Sequence, residues 1–344
     1  MSKSTPITVP ERMRAYRLIA PNELRWEQVP VPEPQAHEAL LRVVACGLCG
    51  TDLHLKTRGH YYWNDQPLTL GHEIVAEIVS LPLDYTGALQ VGDCVVVDPQ
   101  LVCSNCYYCR RGRLNLCDHL EHLGLSVDGG FAEYLTAPVR NLYQVPDAAP
   151  RESLWRYALV EPVATCVAGM RLANPQPHET VAIIGLGFFG QVYAQLARLW
   201  GAQEVFALEL SPARRAVAQQ IGAATPFALD EWQANPRHAD VVIDAAGSAD
   251  AADWCLRVAR KAGRVVVFGY RPEPVRADWY QILVKELTVI GSRSSNHAWE
   301  HALQLVHENR LALNALIAPY EFDAIEGAFA DAEAQRVFKP ILRW

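Results

Sequence analysis

Residues 180–190 constrain the fold more than any other stretch. Val181, Ala182, Ile183 and Ile184 have the apolar, β-branched character of a buried strand, and they run straight into Gly185-Leu186-Gly187-Phe188-Phe189-Gly190. Val192, Leu196 and Leu199 then recur at helical spacing until Gly201 stops the helix. A G-x-G-x-x-G pattern is weak alone, but between a strand and a helix it turns backbone N–H groups and a helix N-terminus toward an anion such as a pyrophosphate. Strand patterns at 205–210, 241–243, 265–267 and 287–290 alternate with helical ones, which is the signature of βαβ units and a parallel sheet. A parallel sheet built of βαβ units is therefore expected from Thr180 onward. Glu209 closes the second strand, 19 residues after Gly190, where an acid hydrogen-bonds an adenosine ribose. Gly185, Gly187, Phe188, Phe189, Gly190 and Glu209 are thus candidate dinucleotide contacts, and the charge of Glu209 favours NAD over NADP. Arg214 and Arg215 stand where an arginine can instead receive a 2′-phosphate.

The first 150 residues have a different texture, with short strands expected at 15–19, 39–44, 74–79, 94–97 and 131–135 and Gly- and Pro-rich breaks between them. A compact β-barrel-like domain fits. Two of its strand ends carry chemistry. Cys49, Thr51, Asp52 and His54 follow the strand at 39–44, and His72 and Glu73 open the strand at 74–79. A Cys and a His brought together from two strands supply two of the three protein ligands of a catalytic zinc, which keeps one position open. Cys103, Cys106, Cys109 and Cys117 have the spacing C-x2-C-x2-C-x7-C. Four thiolates close a tetrahedral shell, so this second zinc site is structural. A ferredoxin-type cluster run continues with x3-C-P, whereas here seven residues intervene and Asp118 follows. Cys46, Cys94, Cys166 and Cys255 read as core filling, and His60, His119 and His122 as ordinary surface residues.

At 344 residues the chain exceeds what one core usually serves, so two domains are expected. A net charge of -7 without a basic run argues against nucleic acid, and no apolar run approaches a membrane span or a signal peptide. Nine cysteines, four of them clustered, suit metal binding in a reducing compartment. These features point to a cytoplasmic protein that acts on small molecules.

Taken together, Gly47-Leu48-Cys49-Gly50-Thr51-Asp52, Gly71-His72-Glu73, the four-cysteine loop, the dinucleotide loop and Asp128-Gly129-Gly130-Phe131-Ala132-Glu133-Tyr134 make the chain resemble the zinc-dependent medium-chain dehydrogenase/reductase family over essentially its whole length. The resemblance implies a GroES-like catalytic domain made of residues 1–160 and 297–344, with a structural-zinc loop at about 100–120, and a doubly wound Rossmann domain at 161–296. It makes Cys49 and His72 ligands of the catalytic zinc, and Glu161 lies where the third ligand comes from. Liver-type alcohol dehydrogenases use a cysteine there. A carboxylate resembles the polyol and threonine dehydrogenase branch, which leaves either Glu73 or Glu161 as the third ligand. Asp52 is expected to hydrogen-bond the far nitrogen of His72. Thr51 and His54 match the proton relay, and Lys339 matches a cationic position near the cofactor pyrophosphate.

The activity so implied is hydride transfer from a polyhydroxylated secondary alcohol, a sugar alcohol or sugar acid, to NAD, giving a ketone. L-threonine or a simple alcohol is the alternative substrate. A redox-silent zinc protein is the reading outside catalysis, disfavoured because Cys49, Thr51, His54, His72 and Glu161 are all present. Family members are usually homodimers or homotetramers. For the substrate, Arg293 and the loop at 56–63, which carries Lys56 and Arg58 beside Tyr61, Tyr62 and Trp63, offer cations and aromatic faces.

Overall fold

Antiparallel pairing builds the first half of the chain and parallel pairing the second. The structure, a computed structural model, describes residues 8–58, 66–270 and 274–344. The chain divides into two compact units. One comprises Met1–Glu161, Ala302–Glu308 and Ile317–Trp344; the other comprises Pro162–His301 and Asn309–Leu316. Residues 297–301 and 309–316 thus group with the second unit rather than the first. The His301 ring stacks on Trp200 at 5.2 Å, and the Ala312 N–H donates to Gln195 Oε1 at 2.6 Å.

The first unit contains β1 (Arg12–Ala20), β2 (Glu23–Pro30), β3 (Glu38–Gly47), β4 (Leu68–Thr69), β5 (Glu73–Ser80), β6 (Cys94–Val97), β7 (Gln100–Leu101), β8 (Glu121–His122), β9 (Tyr134–Pro138) and β10 (Leu142–Gln144), with helix α1 (Gly50–Arg58) after β3. Its main sheet runs β10-β6-β5-β3 and continues into Lys339–Arg343 and Ile317–Glu321 from the far end of the chain. The core lies on alternate residues, as the two-residue side-chain period of a strand requires: Leu41 and Val43 on β3, Ile74, Ala76 and Ile78 on β5, Val95 and Val97 on β6. Phe131, Phe322, Ile325 and Phe329 close over them. Each of the larger of these side chains, Val, Leu, Ile or Phe, contributes roughly 1.5–3 kcal/mol when fully buried. The strand expected at 131–135 begins only at Tyr134. Residues ahead of it are engaged elsewhere: Gly130 N–H donates to Gly71 O and Phe131 N–H to Leu70 O, which clamps the segment leading into His72.

The second unit is a six-stranded, wholly parallel sheet of β11 (Thr180–Ile184), β12 (Glu204–Leu208), β13 (Thr225–Phe227), β14 (Ala239–Asp244), β15 (Ala259–Val267) and β16 (Thr288–Gly291). The order β13-β12-β11-β14-β15-β16 reverses direction at β11, the switch point at which doubly wound sheets bind nucleotides. The helix expected to run to about residue 262 stops at Val258. There Lys285 Nζ donates to the carbonyls of Leu256, Arg257 and Ala259, satisfying the exposed helix end and letting β15 begin. Among the described residues no helix is long and apolar enough to cross a membrane.

Candidate metal and cofactor sites

Strand register assembles the first cluster. Gly47, the last residue of β3, pairs with Glu73, the first residue of β5, on one side and with Ile341 on the other. Cys49 leads into α1 just beyond, so its thiol meets His72 and Glu73. The candidate donor atoms of Cys49, His72 and Glu73 all lie within 4.8 Å of one another, and all three residues are buried. Gly47 is required here, since a Cβ on it would stand 2.0 Å from Glu73 Oε2.

Asp52 is fully buried between the two ligand-bearing turns. Its carboxylate accepts from the Cys49 N–H at 2.8 Å and from the Gly71 N–H at 3.2 Å, tying both turns together. The expected hydrogen bond to His72 is not made among the described residues: Nδ1 and Asp52 Oδ1 stand 3.6 Å apart, close enough for electrostatic attraction only. Burial opposes a charged imidazole, yet the Asp52 carboxylate and the Cys49 sulfur beside it hold the His72 pKa well above the ordinary value. The pocket therefore attracts positive charge, and Glu73 Oε2 is a buried oxygen without a hydrogen-bond partner among the described residues. A sulfur, an imidazole and a carboxylate in such a field are the donor set of a zinc ion with one position left open. The group does not include Glu161, on helix α2 (Val160–Ala173). Burial pushes the Glu161 carboxyl up to about 7 and Glu73 adds to the rise, with His72 and Lys339 opposing it.

Lys339 has a partner that the sequence did not suggest. Its Nζ is buried 2.5 Å from Glu73 Oε1 and 3.4 Å from the Leu48 carbonyl, bonds that span 266 and 291 residues of chain. The pyrophosphate contact expected of this ammonium must share it with Glu73. Thr51 Oγ1 lies 3.8 Å from Cys49 Sγ, and His54 follows three residues later on the same face of α1. His122, expected at the surface, is 5% exposed, and its ring meets that of His72 edge-on at 5.7 Å. His119 is exposed as expected. Lys56 pairs with Glu333 at 2.5 Å, which competes with the substrate contact expected of it. Residues 59–63 of that loop, including His60, lie outside the described residues.

The second cluster is local. Cys103, Cys106, Cys109 and Cys117 bring their sulfurs within 4.8 Å of one another without a disulfide. Cys117 Sγ is 3.5 Å from Cys103 Sγ and 4.0 Å from Cys106 Sγ, bracketing the edge of about 3.8 Å that tetrahedral zinc with bonds of ~2.3 Å requires. Backbone N–H groups of Cys103 and His119 point at Cys117 Sγ, and that of Cys109 at Cys106 Sγ. N–H groups from Cys109 and Asp118 pull the Cys106 thiol down to about 6, toward the thiolate that binds metal.

In the second unit, Gly185 has φ of +90°, which turns the chain from β11 toward helix α3 (Phe188–Leu199). A Cβ on Gly190 would strike the Gly185 carbonyl at 1.9 Å, whereas one on Gly187 would meet nothing within 4 Å. The first constraint is helix–strand packing. The space above Gly187 suits the close approach of a phosphate to the backbone. The Phe189 ring packs on Phe188 and Phe268, and Phe188 and Phe189 are the first two residues of α3. Glu209, one residue past β12, is buried and accepts from Leu186 N–H at 2.6 Å and Ser211 N–H at 2.8 Å. Arg214 Nη1 stands 4.0 Å from Glu209, and Arg215 donates to the carbonyls of Glu209 and Leu210. Arg293 is exposed two residues beyond β16.

A barrel-like unit with two metal-shaped clusters and a second unit built on a parallel sheet with a glycine-rich switch point define a zinc-containing dehydrogenase architecture. Residues 35–147 match the alcohol dehydrogenase GroES-like domain and residues 189–308 the zinc-binding dehydrogenase domain. L-threonine 3-dehydrogenase of Pyrococcus abyssi is 33% identical over 336 residues, 91% of this chain and 93% of its own. L-galactonate-5-dehydrogenase of Escherichia coli K12 is 35% identical over 283 residues, 80% of this chain and 81% of its own. An alcohol dehydrogenase of Escherichia coli CFT073, solved with NADH, superposes with a TM-score of 0.89 at 26% identity, over 97% of this chain and all of the other. The chain belongs to the zinc-dependent medium-chain dehydrogenase/reductase family, with a GroES-like domain and a Rossmann domain.

Proposed function

We propose that this protein oxidises a polyhydroxylated secondary alcohol, a sugar alcohol or sugar acid, to a ketone with NAD as acceptor. The observation that carries this reading is an active-site donor set with one thiol and two carboxylates to choose from: Cys49, His72 and Glu73 cluster, buried, and Glu161 stands at the position where liver-type alcohol dehydrogenases have a second cysteine. Cys49, His72 and Glu73 hold the catalytic zinc, with Glu161 close enough electrostatically to exchange with Glu73; the four-cysteine loop holds the structural zinc. When bound, zinc supplies Lewis acidity toward the alcohol oxygen and the nicotinamide supplies the hydride acceptor.

The chain's own groups do the rest. Asp52 fixes the two turns that carry Cys49 and His72, so the donors keep their spacing. Lys339 holds Glu73 in place and keeps its charge inside the barrel. Thr51 takes the proton of the alcohol and passes it along α1 toward His54. In the other unit the N–H groups that open α3 receive the pyrophosphate and Glu209 receives the adenosine ribose. The spare acceptor positions of the Glu209 carboxylate support that role, because two backbone N–H groups fill only part of its capacity. Replacing Glu209 with Gln should raise NADP use relative to NAD. A wild type that already prefers NADP would overturn the NAD assignment.

L-threonine is the second reading, favoured by the relative of Pyrococcus abyssi. The test is kcat/KM for a panel of polyols and sugar acids against 2-butanol, benzyl alcohol and L-threonine. Preference for a polyol or sugar acid supports the proposal. Preference for L-threonine moves the assignment to the second reading, and equal turnover of simple alcohols refutes a polyol site.

A further inference from the structure

Gln191, the fourth residue of α3, is as fully buried as the apolar Val192 and Ala194 that follow on the same helix. Burying an amide costs desolvation that an apolar side chain would avoid, unless hydrogen bonds offset it. Its Nε2 donates to the Arg214 carbonyl at 3.0 Å and to the Leu186 carbonyl at 3.4 Å. Oε1 has no hydrogen-bond partner among the described residues, so the donating end is the one in use. Leu186 lies inside the glycine loop, and Arg214 is the third residue of helix α4 (Pro212–Gln220). Glu209 joins the same two places from the other side. Its Oε2 accepts from the Leu186 N–H at 2.6 Å and its Oε1 from the Ser211 N–H at 2.8 Å, while Ser211 Oγ caps α4 by accepting from the Arg214 N–H at 3.4 Å. The bonds close a ring: Glu209, Leu186, Gln191, Arg214, Ser211 and back to Glu209. Leu186 is held at both its N–H and its carbonyl.

We propose that Gln191 is a positioning residue for the dinucleotide, its amide locking the glycine loop to the start of α4. The inference rests on the cofactor reading proposed above and deepens it. The glycine-loop backbone serves the pyrophosphate in that reading, and Glu209 and Arg214 serve the 2′ position of the adenosine ribose. The ring keeps these two parts at one spacing before the cofactor arrives, so binding need not also order them. Gln191 itself acts through Leu186 and Arg214 and touches no part of the cofactor.

The test titrates NADH into the zinc-loaded full chain, followed by NADH fluorescence, for wild type, Gln191→Met, Gln191→Glu and Gln195→Met, with melting temperatures alongside. Gln191→Met keeps the size of the side chain and removes the donor. It should weaken NADH binding about 10-fold, the scale of one or two lost hydrogen bonds, with the loss in turnover falling on KM for NAD rather than on kcat. Gln191→Glu should recover part of the affinity, because burial favours a protonated carboxyl that keeps one donor. Gln195, one turn further along α3, is the control. It is buried too, but its amide bonds to the Gln191 carbonyl and the Ala312 N–H rather than to the glycine loop or α4. Gln195→Met should lower the melting temperature and leave NADH affinity near wild type. Equal weakening in Gln195→Met and Gln191→Met, or wild-type affinity in Gln191→Met, would overturn the proposal. Should Gln191→Met fail to fold, Gln191→Asn, which draws the amide back by one methylene, decides by the same comparison. A wild type that does not bind NADH refutes the proposed cofactor, whereas the difference between the two glutamine sites tests Gln191 itself.

Discussion

The four-cysteine loop and the Cys49 cluster look alike as lists of metal-binding side chains, but they are built in opposite ways. The loop gathers its sulfurs from 15 consecutive positions, 103–117, and steadies them with N–H groups from its own backbone. The Cys49 cluster depends on the Gly47–Glu73 register, on an aspartate bridging two turns, and on an ammonium from the far end of the chain. A closed, local site holds a fold together. In the proposed reading, one assembled across a sheet from a thiol, an imidazole and a carboxylate keeps a position for substrate, because three protein donors converge on it among the described residues.

The largest effect expected from this contrast is on activity. His72→Ala should lower turnover by at least about 10⁴-fold, the several kcal/mol that a Lewis acid contributes, while circular dichroism and thermal melting stay close to wild type. A melting temperature that collapses along with activity would mean that the cluster is structural too. Cys106→Ser should do the reverse. Losing the local site should cost several kcal/mol and lower the melting point by roughly 5–10 °C, with protein that remains folded still able to turn over substrate.

The ion pair sharpens the comparison further. Lys339→Met leaves the Glu73 carboxylate buried without its partner and should cost about 3–5 kcal/mol in chemical denaturation. The double variant Lys339→Met with Glu73→Leu should recover much of that stability but bind less zinc. Recovery with full zinc content would show that Glu73 is not a ligand and leave the place to Glu161. The smallest effect belongs to the relay. Thr51→Ala should slow turnover roughly 10²-fold, with zinc content and melting point unchanged. An unaltered rate would remove Thr51 from the proton path.

The same contrast explains what the sequence made legible. The cysteine loop and the glycine loop could be read directly, because their function follows from spacing within a few residues and from a flanking strand and helix. Most of the parallel sheet was equally plain, from the apolar runs inside β11, β12 and β14, but the three-residue β13, Thr225–Phe227, was not expected, and β15 starts earlier than its apolar run, on Ala259-Arg260-Lys261. Short elements escaped: β7 and β8 are two residues each, too brief for any period, so the burial of His122 against His72 could not be foreseen. The Glu73–Lys339 pair was equally hidden, because it joins residues 266 positions apart and is decided by how the last strand docks on β3. Whether Glu73 or Glu161 faces Cys49 and His72 is likewise a matter of register, which two glutamates in a sequence do not reveal.

The most direct test of two separable metal sites is zinc analysis of the fully loaded wild type, Cys49→Ala and Cys103→Ser, with NAD reduction on a polyol measured on the same samples. Two zinc ions should be found in the wild type and one in each variant. Activity should vanish in Cys49→Ala, which keeps its fold, and thermal stability should fall in Cys103→Ser. A wild type that loads one zinc or none, or a Cys49→Ala protein that keeps two and still reduces NAD, would contradict the account.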